Sequence, residues 1–197
     1  TARDVYGDFD WDWMGEEGYT VLVKDFTLVI AGGSGRGTLY GVYGFLESLG
    51  CRFFAPDCET VPKLETILID ADYRDSQRPA FSFRDVFWAC AFDEEWSVKQ
   101  RVNSCFNLFN RTLGRSISPE WGGGISNAGP QHVHNFEMLV PVDKYFESHP
   151  EYFSEINGKR TSEFLYSQLC LTNEDVFQIV VNQIREWMKE NPDSKVV

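Results

Sequence analysis

At 197 residues the chain is long enough for one large domain or two small ones, and 43% hydrophobic against 24% charged residues is the balance of a protein with a core. Thirty acidic residues against 18 basic leave a net charge of −12, which repels phosphate backbones and anionic bilayers, so nucleic acid and membrane surfaces are excluded as partners. No apolar run approaches the ~20 residues of a membrane span.

In chain order, partial alternation over 19–23, a Lys24-Asp25 turn and a β-branched run over 27–31 predict a hairpin. The glycines between 32 and 37 break the second strand. Residues 38–49 then place Leu39, Val42, Tyr43 and Leu46 at helical spacing until Gly50 stops the helix. Gly37, Gly41 and Gly44 form a stripe of small residues on the other side of this helix. Each interior glycine costs roughly 1 kcal/mol against alanine, so the stripe predicts close approach of a backbone. The expected arrangement is a sandwich, with the large face on the helix's own sheet and the glycine face on the domain that follows.

A further strand is expected at 66–69, and the polar stretch 70–79 reads as a connector between domains 1–74 and 75–197. Beyond it, 81–88 is aromatic and strand-like, 93–102 helical, and 104–109 a strand. Residues 116–130 are rich in Gly, Ser and Pro, the composition of a binding loop. A short helix follows at 143–148. Asn157-Gly158 predicts a tight hairpin turn. Residues 168–171 read as a strand, and Thr172 or Asn173 caps a helix whose buried face is Val176, Val180, Ile184 and Trp187, ending at Asn191-Pro192. A strand begins again at Lys195. Strand, helix and strand with long loops on one side is the pattern of a parallel barrel. Thr1 in place of Met, and a strand only begun at the end, predict a piece of a longer protein and leave targeting open.

Five cysteines (51, 58, 90, 105 and 170) include no Cys-x-x-Cys pair and most read as buried thiols, with a Cys51–Cys58 bridge across a short loop as the alternative. The cluster Gly32-Gly33-Ser34-Gly35-Arg36-Gly37 fits neither phosphate cradle. Thr38 stands where the dinucleotide pattern needs glycine and the P-loop needs lysine.

Taken together, Gly18-Tyr19, Arg36-Gly37-Thr38-Leu39-Tyr40-Gly41-Val42-Tyr43 and Cys51-Arg52-Phe53-Phe54-Ala55-Pro56, in this order and spacing, resemble the small domain that precedes the catalytic barrel in alpha-glucuronidases and beta-hexosaminidases. The remainder, marked by His134-Asn135-Phe136, His149-Pro150-Glu151-Tyr152-Phe153 and Gln168-Leu169-Cys170-Leu171-Thr172-Asn173, resembles an uncharacterised barrel family often fused to such domains. The resemblance implies an α/β chain, a small α+β sheet-and-helix domain followed by a partial TIM-like barrel. It also implies an oligosaccharide or polysaccharide substrate and a periplasmic or extracellular setting.

Five residues are candidate sugar contacts. Arg84 falls where the related families carry a sugar-gripping arginine, its guanidinium offering fixed donors, and the alternative is an ion pair with Asp85 or another acid. Trp88 suits stacking on a sugar ring or a place in the core. Asn103 and His134 fall on the family pattern. Asn173 ends a strand on the loop face of a barrel, or serves as the helix cap. His132-Val133-His134, with Glu137 and His149, also has the composition of a metal site. Glycoside hydrolysis needs two carboxylates, ~5 Å apart for retention and wider for inversion. No such pair is apparent, so no residue is assigned as catalytic, metal-binding or cofactor-binding. The expected function is that of a carbohydrate-active enzyme whose catalytic carboxylates lie outside this chain, against a non-catalytic carbohydrate-binding module or a His-x-His metal hydrolase.

Overall fold

The computed structural model describes residues 9–108, 113–163, 168–194 and 196. They form a mixed α+β structure of ten short strands in small sheets with six α-helices. None of the sheets closes into a barrel among the described residues. No described helix is long and apolar enough to cross a membrane. The chain divides into two compact units, Thr1–Cys105 with Arg115–Gly124, and Phe106–Gly114 with Ile125–Val197.

In the first unit a short helix, α1 (Trp11–Met14), capped by Asp10, leads into the expected hairpin of β1 (Tyr19–Lys24) and β2 (Thr27–Gly32). The strands pair antiparallel from Tyr19↔Gly32 to Lys24↔Thr27, and Asp25 and Phe26 turn the chain with φ of 48° and 59°. The alternation over 19–23 is incomplete for a physical reason. Tyr19 and Val21 bury against Tyr40, Val98 and Ile117, whereas Leu22, Val29 and Ala31 bury against Phe9 and Met14, so both faces of the sheet are covered.

The third strand of this sheet differs from the expectation. Residues 66–69 form no strand, and Ile67 and Leu68 are exposed. The other edge of β1 is filled by β5 (Arg74–Gln77), from Tyr19↔Gln77 to Leu22↔Arg74, after a small hairpin of β3 (Arg52–Ala55) and β4 (Cys58–Thr60). An edge strand needs its backbone more than an apolar face. Here the Thr20 and Ser76 hydroxyls, 2.9 Å apart, add a polar cross-strand pair. Within the stretch 70–79, residues 74–77 are thus an edge strand of the first unit's sheet. Cys51 and Cys58 are both free thiols.

Helix α2 (Gly35–Ser48) starts at Ser34, whose side chain accepts from the backbone N–H of Arg36 and Gly37. Its glycine stripe faces the opposite way from the expectation. A Cβ at Gly41 would lie 2.7 Å from Ile30 Cγ2 and 3.2 Å from Tyr19 Cβ, and one at Gly44 would overlap the Tyr19 hydroxyl. The glycines let α2 settle on its own hairpin, with the Tyr19 ring running along the stripe. Residues 81–88 carry no strand. A backbone bond from Asn103 N to Arg84 O, with side-chain bonds described below, holds them instead. Helix α3 (Glu94–Lys99) falls within the expected 93–102 and is capped by Asp93.

Strands β6 (Ser104–Leu108), β7 (Leu113–Arg115) and β8 (Ile125–Ser126) form a sheet in the order β7–β6–β8. The strand expected over 104–109 is thus present as β6, and Phe109 lies outside the described residues. The rest of the second unit holds α4 (Phe136–Leu139), α5 (Val142–Tyr145), a hairpin of β9 (Glu155–Ile156) and β10 (Lys159–Arg160), and α6 (Glu174–Glu190). Asn157 and Gly158, at φ 51° and 75°, make the predicted turn. On α6, Val176, Ile179, Val180, Ile184 and Trp187 pack on a core of Leu139, Val140, Tyr152, Phe153 and Leu169. The strand expected at 168–171 is reduced to one antiparallel bridge, Phe153↔Leu169. Lys195 lies outside the described residues, but Val196 bridges Asn127 in parallel after the α6 crossover.

Candidate functional site

Two polar constellations stand out, one in each unit. In the first unit the loop before β1 turns Glu17 inward, where it is 9% exposed. Its Oε1 accepts from Arg36 Nε at 2.6 Å and from Asn103 Nδ2 at 2.8 Å, and its Oε2 accepts from Arg84 Nη1 at 2.8 Å. Burial pushes this carboxyl up, but hydrogen bonds from Arg84 and Asn103 and the charges of Arg84 and Arg36 outweigh it, so Glu17 titrates below its ordinary value. Arg84 answers with the opposite balance. Burial lowers its pKa, but the hydrogen bond and charge of Glu17 outweigh that, so the net shift is upward.

The structure thus brings Arg84 and Asn103 together, around a carboxylate of their own chain. Arg84 Nε donates to Arg101 O at 2.6 Å, Nη1 also to Phe81 O at 2.6 Å, and Nη2 to Tyr40 Oη at 3.3 Å. Asn103 is 0% exposed, donates from Nδ2 to Glu17 and Ser82 O, and accepts from Arg84 N at 2.8 Å. Asn103, named above as a sugar contact, is thus enclosed and bonded to Glu17, Ser82 and Arg84 of its own chain. For Arg84 the geometry supplies the ion-pair alternative, with Glu17 as the acid. Nearby, Arg115 binds Asp85, Ser104 and the Ala91 carbonyl, so Asp85 is committed elsewhere. Trp88 precedes a 3-10 turn, Ala89–Phe92, and is 63% exposed, which places its ring outside the core.

In the second unit the loop 127–135 follows β8. It is held from below by α6, since Asn191 Nδ2 donates to Ala128 O at 3.1 Å, Ala128 N donates to Val196 O at 2.8 Å, and the Trp187 ring lies against Gly129. Within the loop Asn127 Nδ2 lies 3.3 Å from His132 Nδ1, and Asn135 Nδ2 donates to Gln131 O at 3.0 Å. The His132 ring is tilted against Phe106 with centroids 5.3 Å apart. Asn127 Oδ1 and Asn135 Oδ1 are buried with no hydrogen-bond partner among the described residues. His134 is exposed and held in the left-handed region at φ 59°, a conformation that costs an ordinary residue free energy.

The remaining candidates are placed more simply. Asn173 caps α6, its Oδ1 accepting from Val176 N at 3.2 Å, as the capping alternative has it. His149 stacks on Tyr152 at 4.6 Å and bonds Glu151, a corner of the second unit's core. No three of His, Cys, Asp and Glu come together in a metal-binding group among the described residues.

Sequence reasoning missed Glu17, Tyr40, Asn127 and Asn135 as members of these constellations. Glu17 sits in a Gly-Glu-Glu-Gly stretch that looks solvated. Asn127 does fall in the loop flagged by its composition, and Asn135 adjoins the His134 motif.

A family model described as Domain of unknown function (DUF4838) matches residues 53–197. No curated protein and no solved structure matches the chain. The match starts within β3, so residues 15–52, which carry most of the resemblance to the glucuronidase and hexosaminidase domain, lie outside it. Covering both of the second unit's segments and much of the first unit, it makes this protein a member of the family described as Domain of unknown function (DUF4838).

Proposed function

We propose that this chain belongs to a carbohydrate-active protein, and that it supplies a glucuronidase-like or hexosaminidase-like N-terminal domain and the opening strands of a TIM-like barrel. The parallel pairing of Asn127 with Val196 across a helix-containing crossover is the kind of connection such a barrel repeats. Its loops at strand ends are where substrates dock in that architecture. The observation that carries the reading is His134, exposed and held at φ 59° in a polar loop directly after β8. Strain of this kind persists where surrounding structure enforces it, and it concentrates at binding sites.

The reading assigns sugar binding to these residues and bond cleavage to carboxylates outside the chain. Glu17 is the one buried carboxylate among the described residues, and its two arginines keep it anionic, unfit to protonate a leaving group. Calorimetric titration with a panel of soluble xylo-, chito- and gluco-oligosaccharides tests the proposal. Binding of at least one, reduced tenfold or more in His134→Ala and in His134→Gly, is the expected result. The glycine variant removes the imidazole while relieving the backbone. No binding across the panel, or unchanged binding in both variants, defeats the reading.

A further inference from the structure

We infer that the loop 127–135 forms a subsite for neutral sugar hydroxyls and discriminates against uronate carboxylates. This rests on the carbohydrate reading and narrows it, because the resemblance to both glucuronidases and hexosaminidases leaves acidic and neutral sugars open.

Two unmatched amide oxygens, on Asn127 and Asn135 at the two ends of the loop, carry the inference. Buried polar groups are almost always hydrogen-bonded, so two acceptors without partners in one short loop are a departure that asks for a donor. For Asn135 the orientation is set by chemistry. Its other end faces the Gln131 carbonyl at 3.0 Å, which can only accept, so the NH2 group must lie there and the oxygen must face the missing partner. At Asn127 one end of the amide meets His132 Nδ1, and whichever way the amide is turned the far end lacks a partner. A hydroxyl both donates and accepts, so it satisfies Asn135 in its one orientation and Asn127 in either.

A carboxylate can only accept. Placed against Asn135 Oδ1 it would set oxygen lone pairs against oxygen lone pairs, and the sequence of the loop from Asn127 to Asn135 contains no lysine or arginine to compensate. The net charge of −12 opposes an anion at longer range as well. A neutral ring hydroxyl meets neither penalty. Neither amide oxygen touches solvent as the loop stands, so a ligand is received with a small shift of the loop. Trp187, packed on Gly129, is placed to report that shift.

The test compares sugars that differ only at C6. Methyl glucoside against methyl glucuronide, and methyl galactoside against methyl galacturonide, are titrated into the full chain, followed by calorimetry and by tryptophan emission, with Trp187→Phe identifying the reporter. The expected result is a preference of about tenfold or more for the neutral member of a pair, the scale of one hydrogen bond exchanged for a repulsion. Asn135→Ala should weaken the neutral sugar by about tenfold and flatten the preference. Should that variant fail to fold, Asn127→Ser carries the same test on the other acceptor. Equal or tighter binding of the uronate, or an unchanged preference in the variants, overturns the subsite while leaving the carbohydrate reading in place. Binding of neither member of either pair, together with silence across the oligosaccharide panel, overturns both.

Discussion

The Glu17 cluster and the loop 127–135 are both polar and partly or wholly buried, yet they are built on opposite terms. Around Glu17 both carboxylate oxygens, both arginines and both amide hydrogens of Asn103 find partners within the first unit. In the loop two amide oxygens find none among the described residues. A fully satisfied polar cluster specifies how its elements meet and leaves little for a ligand, whereas an incompletely satisfied one retains bonding capacity. The residue types alone would have suggested the reverse, since arginine and glutamate look more like a sugar site than two asparagines do.

The largest expected effect tests the first half of that contrast. Glu17→Ala takes from the buried Arg36 and the half-buried Arg84 the carboxylate they share, and urea unfolding should show a loss of about 3 kcal/mol, the low end of the scale for removing one partner of a buried ion pair. A loss under about 1 kcal/mol would mean that the cluster is solvated and the contrast illusory. Acid probes the same group. Because Glu17 titrates below its ordinary value of 4.5 in the folded protein, its contribution is present above about that pH, declines as pH falls below it, and is gone below the lowered folded value. Glu17→Gln should therefore flatten the fall in stability below pH 4.5, and an unchanged acid limb would assign it to other carboxylates.

Gly41→Ala comes next and asks whether the first unit is as tightly joined as its cluster implies. Alanine gains roughly 1 kcal/mol of helix propensity, but its Cβ would press on Ile30 and Tyr19, and overpacking of this kind costs about 1–3 kcal/mol. A net loss of ~1–2 kcal/mol in thermal unfolding is expected, and a gain would show that α2 has room to lift from the hairpin.

Asn173→Ala removes the α6 cap and should cost the second unit ~1 kcal/mol, read by far-ultraviolet circular dichroism melting. The smallest effect is expected at Asn127. Only its contact with His132 is lost in Asn127→Ala, so the change should stay below about 1 kcal/mol. A cost comparable to that of Glu17→Ala would show that the amide oxygen is an integral structural bond and remove the basis for reading the loop as a site.

Elements specified by neighbours in the chain were legible in advance. The β1–β2 hairpin, the Asn157-Gly158 turn and α6 with its Asn173 cap each depend on φ preferences, capping groups or a period of apolar residues, all of which act within a few positions. The β5 strand was not legible, because Arg74-Asp75-Ser76-Gln77 has no strand pattern of its own and becomes one only by pairing with β1. Nor was the direction of the glycine stripe. Small residues announce a close approach without naming the partner, and here the partner is Tyr19 rather than the following domain.

For the candidate residues the division is the same. Residue order alone showed that Asn103, His134 and Asn173 are polar groups next to strands and loops and that Asn173 suits a helix cap, but the stretch 116–130 expected to be a loop contains a 3-10 turn and β8. That Asn103 is sealed beneath Arg84 and Glu17, and that Asn127 and Asn135 keep unmatched oxygens, follows from long-range packing. Hydrogen-bond satisfaction joins groups far apart in the chain, such as Glu17 and Asn103, and no local pattern of residues encodes which of them will meet.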